Sequence, residues 1–300
     1  MYNMDENATV AIALTLFAIA AAFRVRLGDT LARRIWLGVS LVALGATWLG
    51  GFVDAVGIVI LAGFGTLAWY VSRTDVPRLR IGGYVLLAVT SLALAMHALP
   101  GFHNPRLIDP QLLSLDSSVF QLYANFDKAW VGIVLVALLL HRSASAVAWR
   151  SAALTTAVIG TLTVVATLAI ASSINVVRLD PKLPDFTLLA LVTNLFFTVI
   201  PEEAFFRLLI QTPLSQRFAT VRYGTVYTVA ITATLFALAH FAGGLQYMLL
   251  AGIAGVGYAL VYAKTQRLSA AVATHFGFNV VHFLYFSYPQ LAVTPQSITG

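Results

Sequence analysis

Glu202, Glu203, Arg207, His240, His275 and Asn279 are the residues whose types and spacing could carry out acid–base chemistry. The first three stand in the stretch from Leu195 to Ile210, which is otherwise apolar enough to lie in a membrane. A charged side chain near the bilayer centre costs about 2.5–3.5 kcal/mol on insertion scales, so a cluster there is itself a functional signal. On a helix, Glu203 and Arg207 are four apart, lie one above the other and partly neutralise each other. Glu202 is rotated by about 100° and faces a different neighbour. Glu203 and Arg207 are therefore assigned to support and Glu202 to chemistry, with a partner from another helix.

His240 closes the segment Phe236-Ala-Leu-Ala-His240, near the far end of the next apolar run. His275 and Asn279, four apart, share one face of the last run. A buried carboxylate and an imidazole can hold a water between them as general base and orienter. An imidazole N–H and an asparagine amide on one face can donate to an oxyanion developing on a carbonyl. Together these are the means of peptide hydrolysis without a covalent nucleophile. Glu202, His240 and His275 are also a possible zinc ligand set with one open position. Depth arithmetic at 1.5 Å per residue puts Glu202 ~22 Å and His240 ~27 Å from the turn that joins their helices, but His275 only ~12 Å past Arg267. The last helix must therefore tilt or start deep if His275 is to join the others.

The elements that position these groups are membrane helices. The chain is 59% hydrophobic and 10% charged, against about 45–50% and about 25% for soluble globular proteins. Apolar runs near residues 8–23, 35–53, 55–71, 81–99, 119–140, 152–172, 186–210, 223–242, 245–262 and 268–287 predict an all-α, polytopic transmembrane bundle of about 8–10 spans. The leader before the first run carries Asp5 and Glu6, unlike a signal peptide. With the N-terminus outside, thirteen of the eighteen Lys and Arg residues fall in inner loops and Arg106, Lys128, Arg178 and Lys182 in outer ones. This positive-inside pattern predicts both termini on the outer face of the cell membrane. The proline-containing segment 97–128 is expected to be an outer loop with an interfacial helix. Basic residues are dispersed, which excludes a nucleic-acid face, and the absence of cysteine excludes thiolate nucleophiles and thiolate metal sites.

The three motifs, Glu-Glu-x-x-x-Arg at 202–207, Phe-x-x-x-His at 236–240 and His-x-x-x-Asn at 275–279, resemble in type and order those of the CAAX protease and bacteriocin-processing (Abi) family of intramembrane proteases. The resemblance covers about residues 186–290, taken as the catalytic core, and leaves 1–185 as a transmembrane region of unassigned role. It implies that Glu202 and His240 activate water, that His275 and Asn279 stabilise the oxyanion, and that Glu203 and Arg207 support the site. It leaves the metal question open; a metal-independent mechanism is the expectation, with zinc on Glu202, His240 and His275 as the alternative. Leu208 stands where a glycine often follows the arginine. The implied partner is a membrane-associated peptide or protein. The rival reading is a proton- or ion-coupled transporter using the same buried groups, but no paired broken helices in related halves point to one. His282, at i+7 from His275, is read as interfacial, Asn194 and Thr198 as polar cavity lining, and Gly252, Gly255 and Gly257 as a close-packing face.

Overall fold

The computed structural model describes residues 6–25, 29–140 and 147–292. Arg26 and Arg142, assigned to inner loops, and both chain ends, assigned to the outer face, lie outside them. The ten apolar runs correspond to ten helices among the described residues: α1 (Glu6–Ala22), α2 (Thr30–Leu49), α3 (Ala55–Val71), α4 (Pro77–Ala95), α5 (Phe126–Leu139), α6 (Trp149–Ser173), α7 (Thr187–Arg217), α8 (Gly224–Ala239), α9 (Leu245–Thr265) and α10 (Leu268–Tyr285). Helices α4, α6, α7 and α9 are long and apolar enough to cross a membrane, and α1, α3 and α8 are shorter apolar helices. Large apolar side chains such as Phe17, Leu49, Val59 and Leu162 are exposed around the bundle. Water would not tolerate so much apolar surface, but lipid does.

Local chemistry sets several helix starts. The Asp29 carboxylate accepts the Ala32 N–H at 2.9 Å, and Asp54 accepts those of Val56 at 2.8 Å and Gly57 at 3.1 Å. Pro77 opens α4, where its missing N–H would have had no helical partner.

The expected interfacial helix in 97–128 is absent, and a hairpin stands in its place. Strands β1 (Arg106–Gln111) and β2 (Phe120–Tyr123) pair antiparallel, Ile108 opposite Leu122 and Gln111 opposite Phe120, with two irregularities in register. Pro110 has no N–H to give a ladder; β1 has one strand partner, so its other edge absorbs the loss. Leu107, Ile108 and Phe120 are the buried side chains that hold the hairpin to the bundle.

The fifth run is thereby shortened at its start. Helix α5 begins at Phe126 rather than near 119, so Lys128 sits in its first turn and not in the outer loop. Almost every side chain of α5 is buried, and the helix packs against α1, α3, α4 and α7. A Cβ added at Gly132 would lie 3.0 Å from Pro201 Cγ. Glycine at that position is what allows α5 to lie against α7 there.

Helix α7 is not uniformly α-helical. Residues Asn194–Val199 and Ala204–Gln211 form π-helical turns, on either side of an α-helical segment at Ile200–Glu203. Each π segment ends two residues before a proline, Pro201 or Pro213. Their closing bonds run from the Ile200 N–H to Leu195 O and from the Thr212 N–H to Arg207 O. A proline inside a helix removes a donor and crowds the carbonyl four residues back. Widening the preceding turn relieves both problems, and such turns recur at functional sites.

Candidate active site

The Arg267 guanidinium donates to Val147 O at 2.9 and 2.6 Å and lies 4.2 Å from the centre of the Trp149 ring. Leu268, Ala270 and Ala271 follow it and are buried. The α9–α10 turn is thus packed against the start of α6, and His275, two turns further on, joins the other groups.

Glu203 and Arg207 form the expected pair, with Arg207 Nε donating to Glu203 Oε2 at 2.7 Å and both side chains fully buried. The pair continues in both directions. Arg207 Nη1 donates to Gln211 Oε1 at 2.7 Å, and Gln211 Nε2 donates to Ala259 O of α9 at 2.8 Å. On the other side, His275 Nδ1 of α10 lies 2.9 Å from Glu203 Oε1. A carboxylate only accepts, so Nδ1 carries the proton of this bond. Glu203 therefore fixes the orientation of His275 as well as neutralising Arg207.

Glu202 has its partner on another helix, and that partner is Lys128. The ammonium Nζ donates to Glu202 Oε1 at 2.6 Å, with both side chains mostly buried. Glu202 Oε2 lies 3.9 Å from His275 Nε2. The sequence reading missed Lys128 because it placed the residue in a loop. Nothing local in the sequence marks the pairing, because it depends on the meeting of α5 with Pro201 and Glu202 across the bundle.

His240 follows the last turn of α8, and its Nδ1 lies 2.8 Å from Phe236 O. A carbonyl oxygen accepts only, so Nδ1 bears the hydrogen and Nε2 is left as the acceptor in the neutral ring. Aromatic neighbours hold both imidazoles. Phe236 lies 4.5 Å from the His240 ring centre, and Tyr258 stacks on His275 at 4.5 Å. Asn279 Nδ2 donates to Asn194 Oδ1 at 3.0 Å, joining α10 to α7 and leaving the second amide hydrogen available.

Glu202, His240, His275 and Asn279 line one cavity of about 410 Å³, to which Asn194 and Thr198 also contribute. Glu202 and His240 line a second, smaller cavity on the side of Lys128, so the two stand where the cavities approach each other. The glycines of α9 pack closely as expected: a Cβ at Gly252 would meet Ala237, one at Gly255 would meet Phe236, and one at Gly257 would meet Thr163. His282, expected at the interface, is instead buried in the wall of the larger cavity. Among the described residues no three His, Asp or Glu side chains come close enough together to share a metal ion.

Fold and site together define a helical membrane protein with a polar, acid–base-equipped cavity inside its bundle. Residues 184–281 match the family model described as type II CAAX prenyl endopeptidase, Rce1-like, a CAAX-type intramembrane protease family. The matched segment contains all three motifs, so the motif resemblance is shown for this part of the chain. No curated protein and no solved structure matches the chain.

Proposed function

We propose that this protein is an intramembrane endopeptidase in which Glu202 and His240 activate a water and His275 and Asn279 stabilise the oxyanion. The observation that carries the reading is the convergence of these four side chains on one cavity, within the segment that matches the protease family. Lys128 occupies Glu202 Oε1, which leaves Oε2 as the oxygen facing His275 and the cavity. Glu202 Oε2 takes one proton of the attacking water, which His240 Nε2 orients by accepting a hydrogen bond from its other O–H, as the water oxygen bonds to the scissile carbonyl carbon. The carbonyl oxygen becomes an oxyanion and takes hydrogen bonds from Asn279 and from His275. Because Nδ1 of His275 is committed to Glu203, donation from Nε2 requires the imidazolium form, with Glu203 and Glu202 on its two sides. Collapse breaks the C–N bond, and the proton held by Glu202 passes to the leaving amine.

The residues fit a zinc ion poorly. The Lys128 ammonium already neutralises Glu202, and among the described residues no three His, Asp or Glu side chains come close enough together to share an ion. We read the mechanism as metal-independent. Stoichiometric zinc whose removal abolishes cleavage and whose return restores it would overturn that reading. The substrate is a membrane-associated peptide or protein segment that enters an α-helical bundle, and the charge pattern supports an outer C-terminus. Single cysteines at Asp75 and Ala292 test the orientation in a chain that has no native cysteine. Labelling of Asp75→Cys, with protection of Ala292→Cys, by an impermeant outside reagent would refute it. The central experiment is cleavage of quenched fluorescent peptides by the purified protein. Cleavage by the native chain and none by a folded Glu202→Gln variant is the expected result. Equal turnover by both would end the proposal.

A further inference from the structure

Helical threonines in this protein normally return their hydroxyl to the backbone four residues earlier. Thr15, Thr66, Thr90, Thr156, Thr163, Thr228, Thr232, Thr265 and Thr274 all do so, at 2.7 to 2.9 Å. Such a back-bond is the cheapest way to satisfy a hydroxyl in a membrane helix. Thr167 of α6 and Thr193 of α7 depart from the pattern: each is buried, at 2% and 3% exposure, and its hydroxyl has no hydrogen-bond partner. Nε2 of His282, a residue 9% exposed, is likewise unpartnered. All three side chains line the cavity that contains Glu202 and His275. A buried polar atom left without a partner costs about 1–3 kcal/mol. Of eight such atoms among the described residues, these three, on three different helices, surround one cavity, where a ligand can supply the missing bonds.

Spacing and charge indicate what that ligand offers. His275, Asn279 and His282 follow one another on one face of α10, and His282 lies ~10 Å along the helix from His275. An extended peptide advances about 3.3–3.6 Å per residue, so this distance corresponds to roughly three residues from the scissile carbonyl. Among the described residues no Lys or Arg lines the cavity, so a carboxylate or phosphate there would lack a fixed cation. Hydroxyls both donate and accept, which suits the alternating N–H and C=O groups of a peptide main chain. We propose that Thr167, Thr193 and His282 form a main-chain-binding subsite that holds the substrate's neutral amide groups about three residues from the bond to be cleaved. The proposal rests on the protease reading above and assigns the substrate contact at the far end of the same cavity.

The test measures binding and turnover separately. A fluorescent farnesylated heptapeptide with a C-terminal C-a-a-X sequence is titrated by anisotropy into the purified full-length chain carrying Glu202→Gln. The same titration is repeated with Thr167→Val, Thr193→Val and His282→Phe added singly. Each added substitution should weaken binding about two- to tenfold, the range of one net hydrogen bond. N-methylation of the amide about three residues from the scissile bond should weaken binding to a similar degree and remove the effect of the valine variants. Replacing the terminal carboxylate by a carboxamide should change nothing. If the His282 variant does not fold, the two near-isosteric valine variants decide the matter. Unchanged affinity in both valine variants, loss of binding on amidation, or no binding at all would overturn the subsite. Threonine-dependent binding without cleavage by the native chain would instead refute the protease reading and leave the subsite standing. Cleavage with an unaltered KM when Thr167→Val, Thr193→Val and His282→Phe are each made in the otherwise native chain would do the reverse.

Discussion

Helices α1–α4 and α7–α10 face the same difficulty, polar side chains inside an apolar bundle, and meet it in opposite ways. In the first group, the buried hydroxyls of Thr15, Thr47 and Ser91 are satisfied within their own helix, by Ala11 O at 2.7 Å, Leu44 O at 2.9 Å and Leu87 O at 2.7 Å, and that of Ser40 has no partner. In the second, Glu203, Arg207, Gln211 and His275 bond to one another and to the α9 backbone, with Arg207 Nη2 left without a partner. Helices of the first kind can shift against their neighbours without breaking these polar bonds. Those of the second kind cannot, and the cost of ordering their polar groups is met on folding, before any substrate arrives.

The sharpest test of this contrast is chemical. Glu202→Gln should lower turnover by about 10²–10⁴, and lower the melting temperature as well because it leaves the mostly buried Lys128 without its carboxylate, whereas Ser91→Ala should leave turnover near native. A large loss of turnover in Ser91→Ala would show that the N-terminal helices take part in positioning the site. Next in size is the network itself. Arg207→Met leaves Glu203 buried without its guanidinium, and breaking such a pair costs about 3–5 kcal/mol. Pairing it with Glu203→Gln should recover part of the stability and none of the activity. An Arg207→Met protein that unfolds at the native temperature would deny the network any role in stability.

Lys128 links the two groups, since α5 touches helices of both. Lys128→Met should lower turnover by about 10²-fold, the cost typical of a reacting group displaced by about 1 Å. Lys128→Arg should restore most of that, and equal rates in the two variants would remove Lys128 from the site. The smallest effect belongs to Asp54, at the start of α3. The Gly57 amide, then the Val56 amide and His103, hold its carboxyl below its ordinary value near 3.8, against the opposing effect of burial. A carboxyl depressed in the folded state adds stability above its unfolded value, and that contribution fades as pH falls through the lower folded one. Asp54→Ala should therefore lower the melting temperature modestly at pH 7, and the gap to the native protein should close in strong acid. A gap that is the same at both pH values would contradict the assignment.

The ten helices, the Glu203–Arg207 pair and the packing role of the α9 glycines were all legible in the sequence, because hydropathy and helical spacing are local. What was not legible depended on contacts across the bundle. Lys128 lies next to a loop in sequence, and only the approach of Gly132 to Pro201 shows that it reaches Glu202. That His275 meets Glu203 could not be read from its distance along the chain from Arg267, because helix placement across the bundle decides it. The hairpin at 106–123 was missed because its alternation is broken by two register irregularities and by Pro110. His282 reads the same in sequence whether its ring faces lipid headgroups or a cavity.

The two π-helical turns of α7 bear on how the gene can vary. A π turn amounts to one extra residue inserted in an α-helix, and α7 carries such turns both before and after Pro201-Glu202-Glu203. Removing one residue from the α-helical segment Ile200–Glu203 between them would turn everything beyond the deletion by about 100°. Glu202 would then face away from Lys128, with no change in composition or hydropathy. Substitutions in this stretch can be graded in effect, but changes in its length cannot. Sequences that share the mechanism should therefore keep the same number of residues from Asn194 to Pro213 even where the side chains between them drift.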